Sequence, residues 1–172
     1  VTDPNADAKH QARVLFPNIP EEIFTLWLDD RIEANGWPPI TSVWDAAFRY
    51  KDLRFWHRLD WSKRTIKLDL QDFTRLSQEI INKLIEANFL GRPNDLSACM
   101  GDASRRKLKS ILEYMTLNQT LPGSIILFRD GHLYEIVDGS HRLAAFFLFS
   151  QIGWQPLQEA EITCWIGEPH AS

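Results

Sequence analysis

The stretch Leu133-Tyr134-Glu135-Ile136-Val137-Asp138-Gly139-Ser140-His141-Arg142-Leu143-Ala144-Ala145 decides how this chain is read. Leu133 to Val137 reads as a strand. Asp138-Gly139-Ser140 marks a tight turn, because glycine lets the backbone bend sharply with no Cβ in the way. From His141 to about Gln151 follows a helix that is apolar nearly all round, with Leu143, Ala144, Ala145, Phe146, Phe147, Leu148 and Phe149 in a row. A helix of that pattern is buried. Just upstream, Ser124 to Phe128 reads as a strand and Asp130-Gly131 as the hairpin turn that joins it to Leu133–Val137. Just downstream, Gly153 ends the helix and Glu161 to Ile166 forms a last strand.

Further out the helical signals dominate. Ala103 to about Met115 reads as a helix with Leu108, Ile111, Leu112 and Met115 on one side and basic residues on the other. Phe73 to Asn88 reads as a helix with Leu76, Ile80, Leu84 and Ile85 as its buried stripe, broken by Gly91-Arg92-Pro93-Asn94-Asp95. Thr65 to Leu70 alternates polar and apolar residues, as a short half-exposed strand does. In the front third, Pro20-Glu21-Glu22 opens a helix that should stop near Asn35-Gly36. Thr41 or Ser42 caps another, carrying Val43, Trp44, Ala47 and Phe48. Residues 1–19 read as a polar lead-in. The expected fold is α+β: a helical N-terminal extension, 1–62, packed on a domain, 63–172, with a small mixed sheet.

Composition bounds the function classes. The chain has 172 residues, of which 44% are hydrophobic and 24% charged, an ordinary globular balance. At this length a domain buries roughly 70% of its unfolded surface, so it needs neither disulfide nor metal to fold. No apolar run approaches the about 18 residues that cross a bilayer, so no membrane partner is expected. The polar N-terminus carries no secretory pattern. Cys99 and Cys164 form no CxxC pair, and two isolated, buried thiols fit a reducing, cytoplasmic compartment. His10, His57, His132 and His170 show no metal-ligand spacing, and most of the seven tryptophans should be core. A net charge of −4 argues against non-specific coating of nucleic acid.

The strand–turn–helix at Asp138–Arg142 has the makings of an anion site. A helix start exposes unpaired backbone N–H groups and partial positive charge. Ser140 adds a hydroxyl, His141 a donor, and Arg142 a permanent cation with fork geometry suited to phosphate. The competing reading is that Asp-Gly-Ser only ends a strand and caps a helix, with Ser140 as the cap. A cation at the mouth of a buried helix needs a partner. Asp138, Glu135 or a ligand phosphate could each supply it. On an alternating strand Glu135 faces away from Tyr134 and Asp138.

Together with Leu121-Pro122-Gly123-Ser124-Ile125-Ile126-Leu127, the stretch Gly131-His132-Leu133 through Ala145 resembles the ParB/sulfiredoxin superfamily, whose signature is Tyr-Glu-Ile-x-Asp-Gly-x-His-Arg-x-x-Ala. The likeness covers roughly the last 70 residues, or about 100 if the strand at Ile66 is counted. It implies that Gly139, Ser140, His141 and Arg142 hold the phosphates of ATP or CTP. The chain departs from sulfiredoxins, which place a reactive cysteine where Ser140 stands, and from partition proteins, which carry Glu-Arg-Arg after the glycine. The resemblance implies a kinase-like or nuclease/NTPase-like enzyme performing phosphoryl transfer or phosphodiester hydrolysis. Its catalytic candidates are Asp138 as base or Mg²⁺ ligand, His141 as general acid or donor, and Ser140 as a nucleophile. The alternative is a non-catalytic nucleotide- or nucleic-acid-binding regulatory module.

A second basic region stands apart. Between Arg49 and Lys67, seven cations (Arg49, Lys51, Arg54, Arg58, Lys63, Arg64, Lys67) face two acids (Asp52, Asp60) and interleave with Tyr50, Phe55, Trp56 and Trp61. Arg54, Arg58, Lys63 and Arg64 are the candidate contacts for single-stranded nucleic acid. Against that reading, Phe55 and Leu59 stand at helical spacing, which predicts an amphipathic helix with a solvated basic face.

Overall fold

The computed structural model describes residues 3–92, 94–95, 102–153 and 159–170. Cys99 and Trp154 lie outside the described residues. The helices are α1 (Ala6–Leu15), α2 (Glu21–Ile23), α3 (Asp29–Asn35), α4 (Ser42–Ala47), α5 (Leu53–His57), α6 (Arg75–Phe89), α7 (Asp102–Asn118) and α8 (Ser140–Gln151). A π-helical turn, Phe24–Leu28, joins α2 to α3. The strands are β1 (Leu59–Ile66), β2 (Ile125–Asp130), β3 (Leu133–Asp138) and β4 (Ile162–Pro169). The fold is α+β, with a mixed four-stranded sheet in the order β1-β4-β2-β3. Among the described residues no helix is long and apolar enough to cross a membrane. The chain divides into two compact units, one of residues up to Ser62 together with those from Trp165 onward, the other Lys63–Cys164.

The first unit is built on aromatic rings. Phe48 is buried and meets Phe16, Trp27, Trp44 and Trp56, with ring centroids 5.4–5.8 Å apart. Two indoles find backbone acceptors: Trp44 Nε1 donates to Gly36 O and Trp56 Nε1 to Phe48 O. Residues 1–19 are not a lead-in, since α1 occupies most of them. Its apolar signal is thin because only Ala12 is buried within it, with Phe16 following. Ion pairs, most of them to residues beyond the helix, add to it. Lys9 meets Asp3 and Glu33, and Arg13 meets Glu21 and Asp29. Trp44, Ala47 and Phe48 are buried as expected, whereas Val43 is half exposed.

The basic stretch does not form the expected single helix. Asp52 caps α5 by accepting from Phe55 N, and the helix ends after His57. The chain then extends into β1, so Phe55 and Leu59 belong to different elements. The strand expected at Thr65–Leu70 therefore lies earlier, at Leu59–Ile66. Leu59 is buried because it begins a strand there, not because it continues a helical stripe.

In the second unit β2 and β3 form the expected antiparallel hairpin, Asp130 opposite Leu133 and Leu127 opposite Ile136. Ile126 pairs with Asp138, so a bulge leaves Val137 as an extra residue and breaks the strict alternation of β3. β3 is an edge strand, and the start of α6 covers that edge. Thr74 N donates to Tyr134 O, and Ile136 N donates to the buried Ser77 Oγ. This accounts for the register of α6. Its buried residues are Ser77, Ile81, Leu84 and Ile85, while Leu76 is 46% exposed, contrary to the expected Leu76–Ile80 stripe. α8 packs against α6 and α7 and buries Leu143 to Phe147. Cys164 is a free buried thiol, and burial pushes its pKa up to about 11.

Candidate functional site

Gly139 is the N-cap of α8, at φ +100° and ψ 19°. A Cβ there would lie 2.5 Å from Ile125 Cδ1 and 3.1 Å from Arg142 Nη2, so the turn has room for glycine only. Ser140 is thus the first helical residue and not the cap, and no side chain caps this helix. The cap reading of Ser140 is overturned. Its hydroxyl stands in the first turn, where the backbone N–H groups of a helix lack intrahelical partners.

Arg142 points back into the protein. Its Nη1 donates to Pro122 O at 2.9 Å and to Ser124 O at 3.2 Å, and its Nη2 donates to Asp138 Oδ2 at 3.1 Å. The side chain is 14% exposed. Burial lowers its pKa, and the Asp138 carboxylate opposes that shift; a guanidinium stays charged regardless. The partner that the sequence left open is therefore Asp138, joined by two carbonyls of the Pro122–Ser124 loop. Gly123 sits against the fork: a Cβ on it would be 3.0 Å from Arg142 Nη1. Arg142 ties the strand end, the helix start and the preceding loop together.

His141 is placed differently. Its Nε2 is buried with no hydrogen-bond partner. Its pKa is lowered, first by burial and then by the Lys107 ammonium, with Asp138 pulling the other way. The imidazole is therefore neutral near pH 7. Lys107 is exposed on α7. In the sequence it was visible only as one member of the basic cluster Arg105, Arg106, Lys107 and Lys109. The packing of α7 on α8 puts its charge within electrostatic reach of His141.

Because the folded protein resists protonating His141, the unfolded chain binds its proton first as pH falls. The stability tied to this group is complete above about pH 6.5, the ordinary histidine value, and is lost as pH drops toward the folded pKa. Denaturant titrations of wild type and His141→Gln across about pH 5 to 7 should show the variant losing less stability on acidification.

Glu135 lies outside this cluster. It is 5% exposed and accepts a hydrogen bond from Thr74 Oγ1, while its Oε1 is buried without a partner. Thr74 is the N-cap of α6, so the carboxylate faces the positive end of that helix. Thr74 could not be found from sequence, since 61 residues separate it from Glu135. Among the described residues no group of three or more His, Cys, Asp or Glu side chains could hold a metal. Of the basic candidates, Arg54 and Arg58 line one pocket in the first unit, and Lys63 and Arg64 are exposed residues of β1. Protein-family models, curated proteins and solved structures contain no match to this chain.

Proposed function

We propose that the first turn of α8, with Ser140, His141 and Lys107, binds a phosphate group of a nucleotide such as ATP or CTP. The observation that carries this is the buried, partnerless Nε2 of His141, whose pKa burial and the Lys107 charge both lower, at a helix start that no side chain caps. Helix dipole, open N–H groups, hydroxyl, imidazole and ammonium all favour an anion there. The resemblance of Leu121–Ala145 to the ParB/sulfiredoxin superfamily supports the same ligand. In this reading Arg142 shapes the turn from behind rather than touching the phosphate, and Gly139 lets the backbone approach.

The chemistry would be phosphoryl transfer or phosphodiester hydrolysis, which rests on positioning and charge stabilisation. A neutral His141 can donate to a phosphate oxygen or relay a proton through Nε2. Mg²⁺ fits only as an ion carried by the nucleotide. The turn offers one carboxylate, Asp138, whose Oδ2 already accepts from Arg142, so Oδ1 and the phosphates would hold the metal. That engagement also favours a second reading, binding without turnover, because Asp138 as base would have to compete with its own arginine.

Calorimetry with Mg-ATP and Mg-CTP tests the proposal. Wild type should bind at least one nucleotide, and Lys107→Glu should weaken it by about tenfold or more, the scale of a charge-assisted contact. Equal affinity in Lys107→Glu and His141→Gln, or no binding of either nucleotide, overturns it. Release of phosphate or nucleoside diphosphate separates the enzyme from the binding module.

A further inference from the structure

We infer that the pocket formed by Arg54, Phe55 and Arg58 on one side and Pro169 and His170 on the other is a binding site for single-stranded nucleic acid, independent of the turn at Gly139. The pocket lies within the first unit and has a volume of about 500 Å³. Its walls are fixed to one another. His170 N donates to Arg58 O at 3.0 Å, and His170 Nδ1 is 2.7 Å from Asp60 Oδ2.

The charges in it are unbalanced in a specific way. Asp52 also lines the pocket and accepts from Phe55 N at 2.8 Å, and Asp60 faces His170, so both carboxylates are held by donors other than the arginines. Arg54 and Arg58, both exposed, make no ion pair among the described residues. Arg13, in the same unit, shows the contrast: two carboxylates hold it. A third cation, Lys51, stands 5.4 Å from the centroid of the Phe55 ring. Two guanidiniums one helical turn apart beside an aromatic ring suit a phosphodiester backbone with a base against the ring. The volume suits one nucleotide unit, and a base held in a duplex is not free to enter. Hence the single strand is the ligand rather than the double helix.

The test is fluorescence anisotropy of a labelled oligo-deoxythymidine with the full chain, at low and rising salt. Wild type should bind, with affinity falling steeply as salt rises. Arg54→Gln/Arg58→Gln should weaken binding by on the order of tenfold per arginine and reduce the log–log salt slope by about 1.4, two single-strand phosphate contacts. The near-ultraviolet signal of the tryptophans and the melting temperature should be unchanged, since both arginines are exposed. Arg75→Gln, which removes a 93% exposed arginine elsewhere, should bind as wild type does. The inference is overturned by wild-type affinity in the double variant, by no binding at low salt, or by equal affinity for duplex. Failure of nucleotide binding at Ser140–His141 would leave this result unaffected.

Discussion

Arg142→Ala should lower the unfolding free energy by about 3–5 kcal/mol, the usual cost of removing one partner from a buried, hydrogen-bonded charge pair. In a chain of this length that is a fall of about 10 °C in melting temperature. The substitution leaves the Asp138 carboxylate without its counter-ion and the carbonyls of Pro122 and Ser124 without their donor. Arg142→Lys should recover less than half of the loss, because one ammonium cannot span two carbonyls and a carboxylate in the guanidinium plane. Urea unfolding of the three proteins measures both. A loss below about 1 kcal/mol in the alanine variant would mean that the strut carries little. The result also governs how ligand binding is read. Weak nucleotide affinity in Arg142→Ala would report a damaged turn, whereas Lys107→Glu, on an exposed side chain, reports the ligand.

Gly139→Ala should cost about 3 kcal/mol. Part is backbone strain, since an L-residue is forced to φ +100°. Part is overlap, since the new Cβ falls 2.5 Å from Cδ1 of the fully buried Ile125. The two parts can be separated. Ile125→Val removes Cδ1 at a cost of its own of about 1 kcal/mol. In the double variant the overlap disappears and the strain remains, so the two losses should fall short of additive by about 1 kcal/mol. Strict additivity would show that Ile125 moves aside without penalty and that strain alone sets the cost.

The helices and the hairpin were largely legible in the sequence, for identifiable reasons. Asp130-Gly131 between two apolar runs, the glycine after Asp138 and the apolar block Leu143–Phe149 are local signals with local causes, and the elements stand where they indicate. The errors fall where a distant partner decides. α1 looks polar because ion pairs to Glu21, Asp29 and Glu33 complete it. α6 turns Ser77 inward, not Leu76, because the edge of β3 offers an N–H that the Ser77 hydroxyl accepts and a leucine could not. The stretch after His57 leaves its helix for a strand, and the spacing of Phe55 and Leu59 could not show this.

By itself the sequence determined that a strand runs through a glycine turn into a buried helix, and that a serine, a histidine and an arginine follow the glycine. It could not assign their roles, because equal residue types at adjacent positions point about 100° apart on a helix. The tertiary structure decided that one cation, Arg142, faces inward to carbonyls and an internal acid. It also decided that His141 Nε2 is buried without a hydrogen-bond partner, in the field of Lys107 on another helix. Local chemistry sets which groups are present at a turn, but packing of α7 and the Pro122–Ser124 loop against it sets which of them find internal partners and which do not.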